Sequence, residues 1–501
     1  MSQNDVFPAP VYERYLISEL KQLSMKRNYF DYMMTAHRAY ILMLAEEGIV
    51  EQTIANQVIL ALDNVQNNQD KLLKQLSEGK EEDLFFVIEN MMAETIGIDN
   101  AGALHTGRSR NDLGHTIFRM LFRDYFMVAL LQLMDMTEKI IKRGDAGKKE
   151  IIVAWTHCQP AQPTTLAHYF GGMIEVLLRN LERLADAYTD VNQSPYGAAA
   201  ITTTGFPLNR HRLAELLGFN RAIENSYGAI ASTDYNLYVM GIIKNISIHL
   251  AKLSQDMLDS LRLEIGQYDL PDGWVQISSI MPQKRNVVVF EHLRSRLSRI
   301  SGDCDTVGNA IKGTPYGDID DIEIEYHEHI AQTFEHWGKT IPMLGEVVGD
   351  IIVKEERVYE LIDKSCILAT ELADNLVRMA GLTFRNAHKI AARSARYAIN
   401  HHIALSALPL EKLMEFYLEV IGKEPKINLQ LILNALTPKA FIDVRNIFGG
   451  PGIDAINAAY NGYFARFNGV KTRILATNAK QDDQLTQLHN LFSQALKNAK
   501  G

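Results

Sequence analysis

No proline interrupts residues 11–159, 208–270 or 343–408 of this 501-residue chain. Proline breaks a helix interior by removing a donor and clashing with the preceding turn, so long proline-free stretches leave helices free to run. Inside them Leu, Ile, Met and Ala recur at three-to-four spacing, the helical period. Long apolar helices are expected over about 115–142, 164–191, 232–264, 287–312 and 327–360. In 232–264, Tyr235, Leu237, Met240, Ile242, Ile243, Ile246, Ile248, Leu250 and Leu253 cover too much of the circumference for a surface helix, so this helix should be buried on most sides. The expected class is all-α, with a long central helix bundle that also packs against copies of itself.

Gly, Pro, Asp, Ser and Thr cluster near 99–106, 193–207, 267–281 and 313–321, and shorter helices follow residue 362. This divides the chain into an N-terminal helical part (1–112), a central bundle (113–362) and a C-terminal helical part (363–501). The formal net charge of −9 argues against a nucleic-acid backbone as partner. The segment 1–10 shows no leader pattern, and the most apolar stretch, 125–136, is broken by Gln132 and Asp135, so no membrane partner is expected. Cys158, Cys304 and Cys366 are scattered thiols, which fits a reducing compartment; the cytoplasm is the expected address.

Chemistry gathers in polar islands between the helices. In the first, LHTGRSRNDLGHT (104–116), Arg108 and Arg110 offer forked donors to a carboxylate, with Ser109, Asn111 and a helix start adding more; the alternative is a solvated cap made by Asp112. In the second, WTHCQPAQPTTLAH (155–168), Pro160 and Pro163 fix the backbone near His157, which is either oriented for proton transfer or merely structural. The third is QISSIMPQKRNVVV (276–289). A serine acts as a base only if cations and backbone donors stabilise its oxyanion, and Lys284, Arg285 and the turn amides are suitable; a carboxylate or phosphate cradle is the competing reading. Glu291 follows on an apolar helix, where a buried carboxylate would need a partner such as an imidazole. Together the islands suit removal of a proton beside a carboxylate.

These residues resemble the argininosuccinate lyase family of the fumarase/aspartase superfamily. The resemblance rests on His105 to Asp112, on Thr156-His157 with Gln159 to Pro163, and on Ser278 to Asn286. Glu82-Asp83, Phe206-Pro207 with Arg210, Glu224 to Ser226, and segments 369–391 and 436–450 extend it over most of the chain. It implies an all-α fumarase/aspartase-type fold, a homotetramer with a twenty-helix core, and active sites shared between subunits. It further implies a carbon–nitrogen lyase that eliminates an N-(1,2-dicarboxyethyl) amine to fumarate and free amine, with no metal and no cofactor. Argininosuccinate, giving arginine as in arginine biosynthesis, is the leading substrate.

The resemblance assigns Ser278 as base and Lys284 with Asn286 as the carboxylate site. Ser109, Arg110, Asn111, Thr156 and Gln162 would grip the dicarboxylate. His157, paired with Glu291, would assist the leaving amine or position the substrate.

The chain departs from the family pattern in four places. A Gly-Gly-Arg-Phe segment is absent from 7–23. The polar segment before Ala36-His37 reads Phe30 to Thr35. Asp318, Glu323 and Tyr326, within an acidic run, stand where the amino-acid end of argininosuccinate is usually held. Ile277 and Val287 replace Gly and Pro flanking the serine loop. The acidic run reads as a solvated helix start, as a cation site through Asp318, Asp320, Asp321, His327 and His329, or as acids facing an amine-bearing leaving group. That last option raises a lyase for a different adduct, such as an aminopolycarboxylic acid. A non-catalytic, crystallin-like tetramer is the competing class, against which Ser278, His157 and Lys284 all argue.

Overall fold

A computed structural model describes residues 10–26, 28–78, 81 and 83–501. Phe7 and Glu82, noted above, lie outside them. Helices dominate: α1 (Tyr29–Glu46), α2 (Gln52–Asn67), α3 (Leu84–Ile96), α4 (Arg110–Ala146), α5 (Leu166–Val191), α6 (Asp234–Leu261), α7 (Val288–Ala310), α8 (Ile324–Gly338), α9 (Ile341–Gly349), α10 (Ala369–Ala380), α11 (Phe384–Asn400) and α12 (Ile453–Lys500). This is the all-α fold expected.

Helices α4 to α9 share one core. Leu133 and Ile140 of α4 meet Phe170 and Leu177 of α5, Ile243 and Leu250 of α6, Phe290 and Leu297 of α7, Trp337 of α8 and Leu344 of α9, all at most 1 % exposed. Burying each such side chain contributes about 1.5–3 kcal/mol, which outweighs local helix propensity in fixing the bundle. A second core joins α1, α2 and α3 to the start of α4, and a third joins Val153 to residues within 358–442. The 48-residue α12 leaves the third core and packs Tyr460, Phe467 and Ile474 on the bundle, then Leu488 and Phe492 on the N-terminal helices.

Two features differ from the sequence reading. The stretch 327–360 is not one helix: the chain breaks at Lys339-Thr340, and Pro342 in the first turn of α9 starts a new helix, where its missing N–H costs nothing. On α6, Leu237, Tyr238 and Ile248 are 39 %, 50 % and 43 % exposed, so one apolar flank of the helix is uncovered in the single chain.

Two hairpins carry the second and third polar islands. Strands β1 (Ile151–Thr156) and β2 (Gln159–Thr165) pair antiparallel with a bulge at Ala154/Trp155. Strands β3 (Gln276–Ile277) and β4 (Arg285–Asn286) pair Gln276 with Asn286 and Ile277 with Arg285, closing the loop 278–284 at its base.

Candidate active site

The first island starts α4. Ser109 is the N-cap: its hydroxyl accepts from the Asn111 amide (3.3 Å), while the Asp112 carboxylate accepts from the Ser109 amide (3.0 Å). This reciprocal cap satisfies donors that a helix start otherwise leaves open. It is not solvated, as the sequence alternative held. Asp112 is fully buried and its second oxygen accepts from the amides of Gly197 (2.9 Å) and Ala199 (3.1 Å), joining the island to the loop 195–203. Burial pushes its carboxyl up to about 6, against the pull of those amides and Arg108.

Arg108 is not an anion clamp. Its guanidinium donates to His37 Nδ1 (2.9 Å), His105 Nδ1 (2.7 Å) and the Tyr196 hydroxyl (3.2 Å). Burial and the adjacent Arg108 charge hold His37 well below its usual range and His105 near about 3, so both rings are neutral and accept through Nδ1. His105 Nε2 meets Glu89 at 3.2 Å. Arg110 points outward, pairing with Asp83 at 2.9 Å. Ser109 Oγ donates to Asn111 Oδ1 (3.1 Å), and Asn111 Nδ2 donates to the Ala200 carbonyl (3.3 Å).

The second island is the tip of the β1–β2 hairpin. His157 (φ 50°) and Cys158 (φ 60°) are both left-handed, as a two-residue turn matching the twist of its strands requires. Asn-Gly would adopt this more cheaply, so a His-Cys tip carries backbone strain of the kind found at functional sites. Thr156, His157 and Gln162 are exposed.

In the third island the half-buried Ser278 hydroxyl oxygen accepts from the amides of Met281 (3.0 Å) and Ile280 (3.4 Å). Two amides aimed at this oxygen favour its ionised form. Lys284 is exposed and Asn286 half-buried on β4. Arg285 faces away from the serine: it donates to Asp272 and to the Leu270 carbonyl (2.7 Å), with Asp269 at 3.4 Å. It latches the hairpin base, and Trp274 Nε1, donating to Asp350 at 2.7 Å, ties down the preceding turn. Arg285→Ala should lower kcat about tenfold through misplacement of Ser278, with little effect on the thermal midpoint. An unchanged kcat in steady-state assays would show that the latch is dispensable.

Glu291, in the first turn of α7, is exposed rather than buried, because the apolar stripe of that helix runs through Phe290, Leu293 and Leu297. No hydrogen bond between described residues joins it to His157, or joins any island to another; each island sits at the end of a different element.

The acidic run divides. Asp318 pairs with His115 at 2.8 Å, His327 stacks on Phe118 with centroids 4.0 Å apart, and Tyr326 is turned into the bundle core at 1 % exposure. Asp320, Glu323 and Glu325 line a cavity that Arg110, Asn111 and Met33 also line. Among the described residues, no three His, Cys, Asp or Glu side chains are grouped as a metal site. The Asp112 link to Gly197 and Ala199 and the Arg108–histidine network were missed in the sequence. The Ser-x-x-Asp cap and the adjacent His105 were its only local signals, since His37, Tyr196, Gly197 and Ala199 lie about 70 to 90 residues from their partners.

The lyase family model matches residues 17–302, and the model described as argininosuccinate lyase C-terminal matches 366–443. The chain is 37 % identical to argininosuccinate lyase 2 of Agrobacterium fabrum, covering 97 % of both chains. It is 31 % identical to argininosuccinate lyase of Methanococcus aeolicus, covering 92 % of both. An EDDS lyase variant solved with bound fumarate superposes with a TM-score of 0.84 at 25 % identity, covering 98 % of this chain and 97 % of the other. The class II fumarase of Schistosoma mansoni shares the fold at a TM-score of 0.64 and 15 % identity, covering 83 % and 90 %. No helix among the described residues is long and apolar enough to cross a membrane. With the islands in order and family matches along most of its length, the chain belongs to the argininosuccinate lyase family of the fumarase/aspartase superfamily and is a carbon–nitrogen lyase.

Proposed function

We propose that the enzyme eliminates an N-(1,2-dicarboxyethyl) amine to fumarate and a free amine, reversibly, with argininosuccinate as the leading substrate. The observation that carries this is Ser278, whose oxygen faces two loop amides with Lys284 and Asn286 in the same hairpin. Ionised Ser278 takes the proton from the carbon beside a carboxylate. Lys284 and Asn286 hold that carboxylate as it gains negative charge, a task for fixed donors and a cation. The carbon–nitrogen bond then breaks, its electron pair staying on nitrogen, which is protonated as the amine departs. Ser109, Arg110, Asn111, Thr156 and Gln162 grip the dicarboxylate, and His157 positions the substrate or aids the leaving nitrogen.

These groups belong to one site only if copies of the chain come together. The uncovered flank of α6, with Leu237, Tyr238 and Ile248, favours a homotetramer in which islands from different subunits meet, with Glu291 of one copy reaching His157 of another. The test is turnover of argininosuccinate followed by fumarate absorbance, together with the mass of the assembly in solution. A monomer active at full rate would remove the shared site. A second reading, a lyase for another amine adduct, is favoured by the acids on the cavity wall beside Asn111. Faster release of fumarate from another adduct than from argininosuccinate would establish it.

A further inference from the structure

The cavity beside the first island has a volume of about 270 Å³. Asn111 and Arg110 form part of its wall, so this space adjoins the place proposed for the dicarboxylate. Tyr29 and Met33 give it an apolar side suited to methylenes. The positive groups there are matched: Arg110 with Asp83 at 2.9 Å, Lys21 with Glu13 at 3.3 Å. His115 on the same wall meets Asp318 at 2.8 Å. Glu323 differs. No hydrogen bond or ion pair between described residues reaches its half-buried carboxylate, and Asp320 and Glu325 share its wall. Burial, then Asp318 and Asp320, push its carboxyl up to about 7. The Arg110 charge pulls the other way but is shared with Asp83, so a ligand cation can meet this carboxylate directly.

Resting on the proposed elimination, we propose that this cavity receives the tail of the leaving amine and selects one ending in a second cationic group, ammonium or guanidinium, which Glu323 meets. Tails ending in a carboxylate without such a cation are disfavoured, because Arg110 is shared between Asp83 and the dicarboxylate it grips, and Lys21 is paired with Glu13. The preferred substrates are then N-(1,2-dicarboxyethyl) amines whose tail ends in a second cation, a diamine, an aminoguanidine or arginine with its α-ammonium, ahead of those of monoamines and of acids that carry no such cation.

The intact enzyme is incubated with fumarate and, separately, 1,5-diaminopentane, pentylamine or 6-aminohexanoate, and adducts are followed by fumarate loss and mass spectrometry. The diamine should react about tenfold or more faster, in kcat/KM, than either of the others, the worth of a charge-assisted hydrogen bond. Glu323→Gln should collapse that ratio, and Glu323→Asp should restore part of it. Equal rates in the wild type, or a ratio that survives Glu323→Gln, would overturn the assignment. If neither these amines nor arginine add to fumarate, the elimination itself is wrong, and calorimetric binding of 1,5-diaminopentane alone decides the cavity. Heat seen in the wild type and lost in Glu323→Gln supports the site; no heat in the wild type overturns it.

Discussion

Ser278→Ala should lower turnover by about three orders of magnitude while the fold and assembly stay as they are. The kinetic half follows from the proposed role of the hydroxyl as the group that takes the proton, for which Lys284 and Asn286 are no replacement. The structural half follows from its surroundings. Among the described residues the hydroxyl's hydrogen bonds are those from the amides of Ile280 and Met281, in a loop where Ile277 and Ile280 are 87 % and 82 % exposed. Water can satisfy those amides, so the cost to stability is a few tenths of a kcal/mol at most, about that of an exposed surface change. Fumarate release and the thermal midpoint, measured on the same preparation, check both halves. Activity within about tenfold of the wild type would place the base elsewhere.

The largest loss of stability is expected from Asp112→Ala. The side chain is fully buried and accepts from three backbone amides, those of Ser109, Gly197 and Ala199. Removing it strands these donors away from water, at about 1–3 kcal/mol each where no water can enter, and opens a void under the cap. A total above about 3 kcal/mol is expected, seen as a lower midpoint in thermal melts, with Asp112→Asn in between because one amide oxygen remains. The sign of the pH dependence is set by the raised carboxyl. The burial penalty on the ionised form is absent below the ordinary value of 3.8 and complete above about 6, so the wild type loses this part of its stability as pH rises through that window. Asp112→Asn lacks this dependence, and its deficit relative to the wild type should therefore be greatest near pH 4. A deficit independent of pH would show that Asp112 is not strained by burial. Loss of the cap should also disorder Ser109 and Asn111, so activity falls in parallel.

Much of the candidate site's geometry was legible because it is local. The Ser-Ser-Ile-Met turn brings its own amides to Ser278, within three residues, and the Ser-x-x-Asp cap is likewise written in adjacent positions. Two of the three arginines expected to face an anion show the opposite case. Arg108 lies against His37 and Tyr196, and Arg285 against Asp272 and Asp269, so each is structural for reasons that no neighbouring residue announces. Glu291 misled in another way. The helix α7 is apolar along one stripe, but its first-turn acid lies off that stripe and stays exposed.

The sequence by itself determined the helical class, the long central helices, the three polar islands and the residue types that can take a proton beside a carboxylate. Proline spacing, hydrophobic period and side-chain chemistry are properties of short stretches and survive without coordinates. Only the tertiary structure decided the break before α9, the left-handed turn that presents His157, and the burial of Asp112 between two loops. It also turned Tyr326 into the core while leaving Glu323 on the wall of a cavity. Direction and burial depend on partners tens to hundreds of residues away, and the packing that brings those partners together has no local signature.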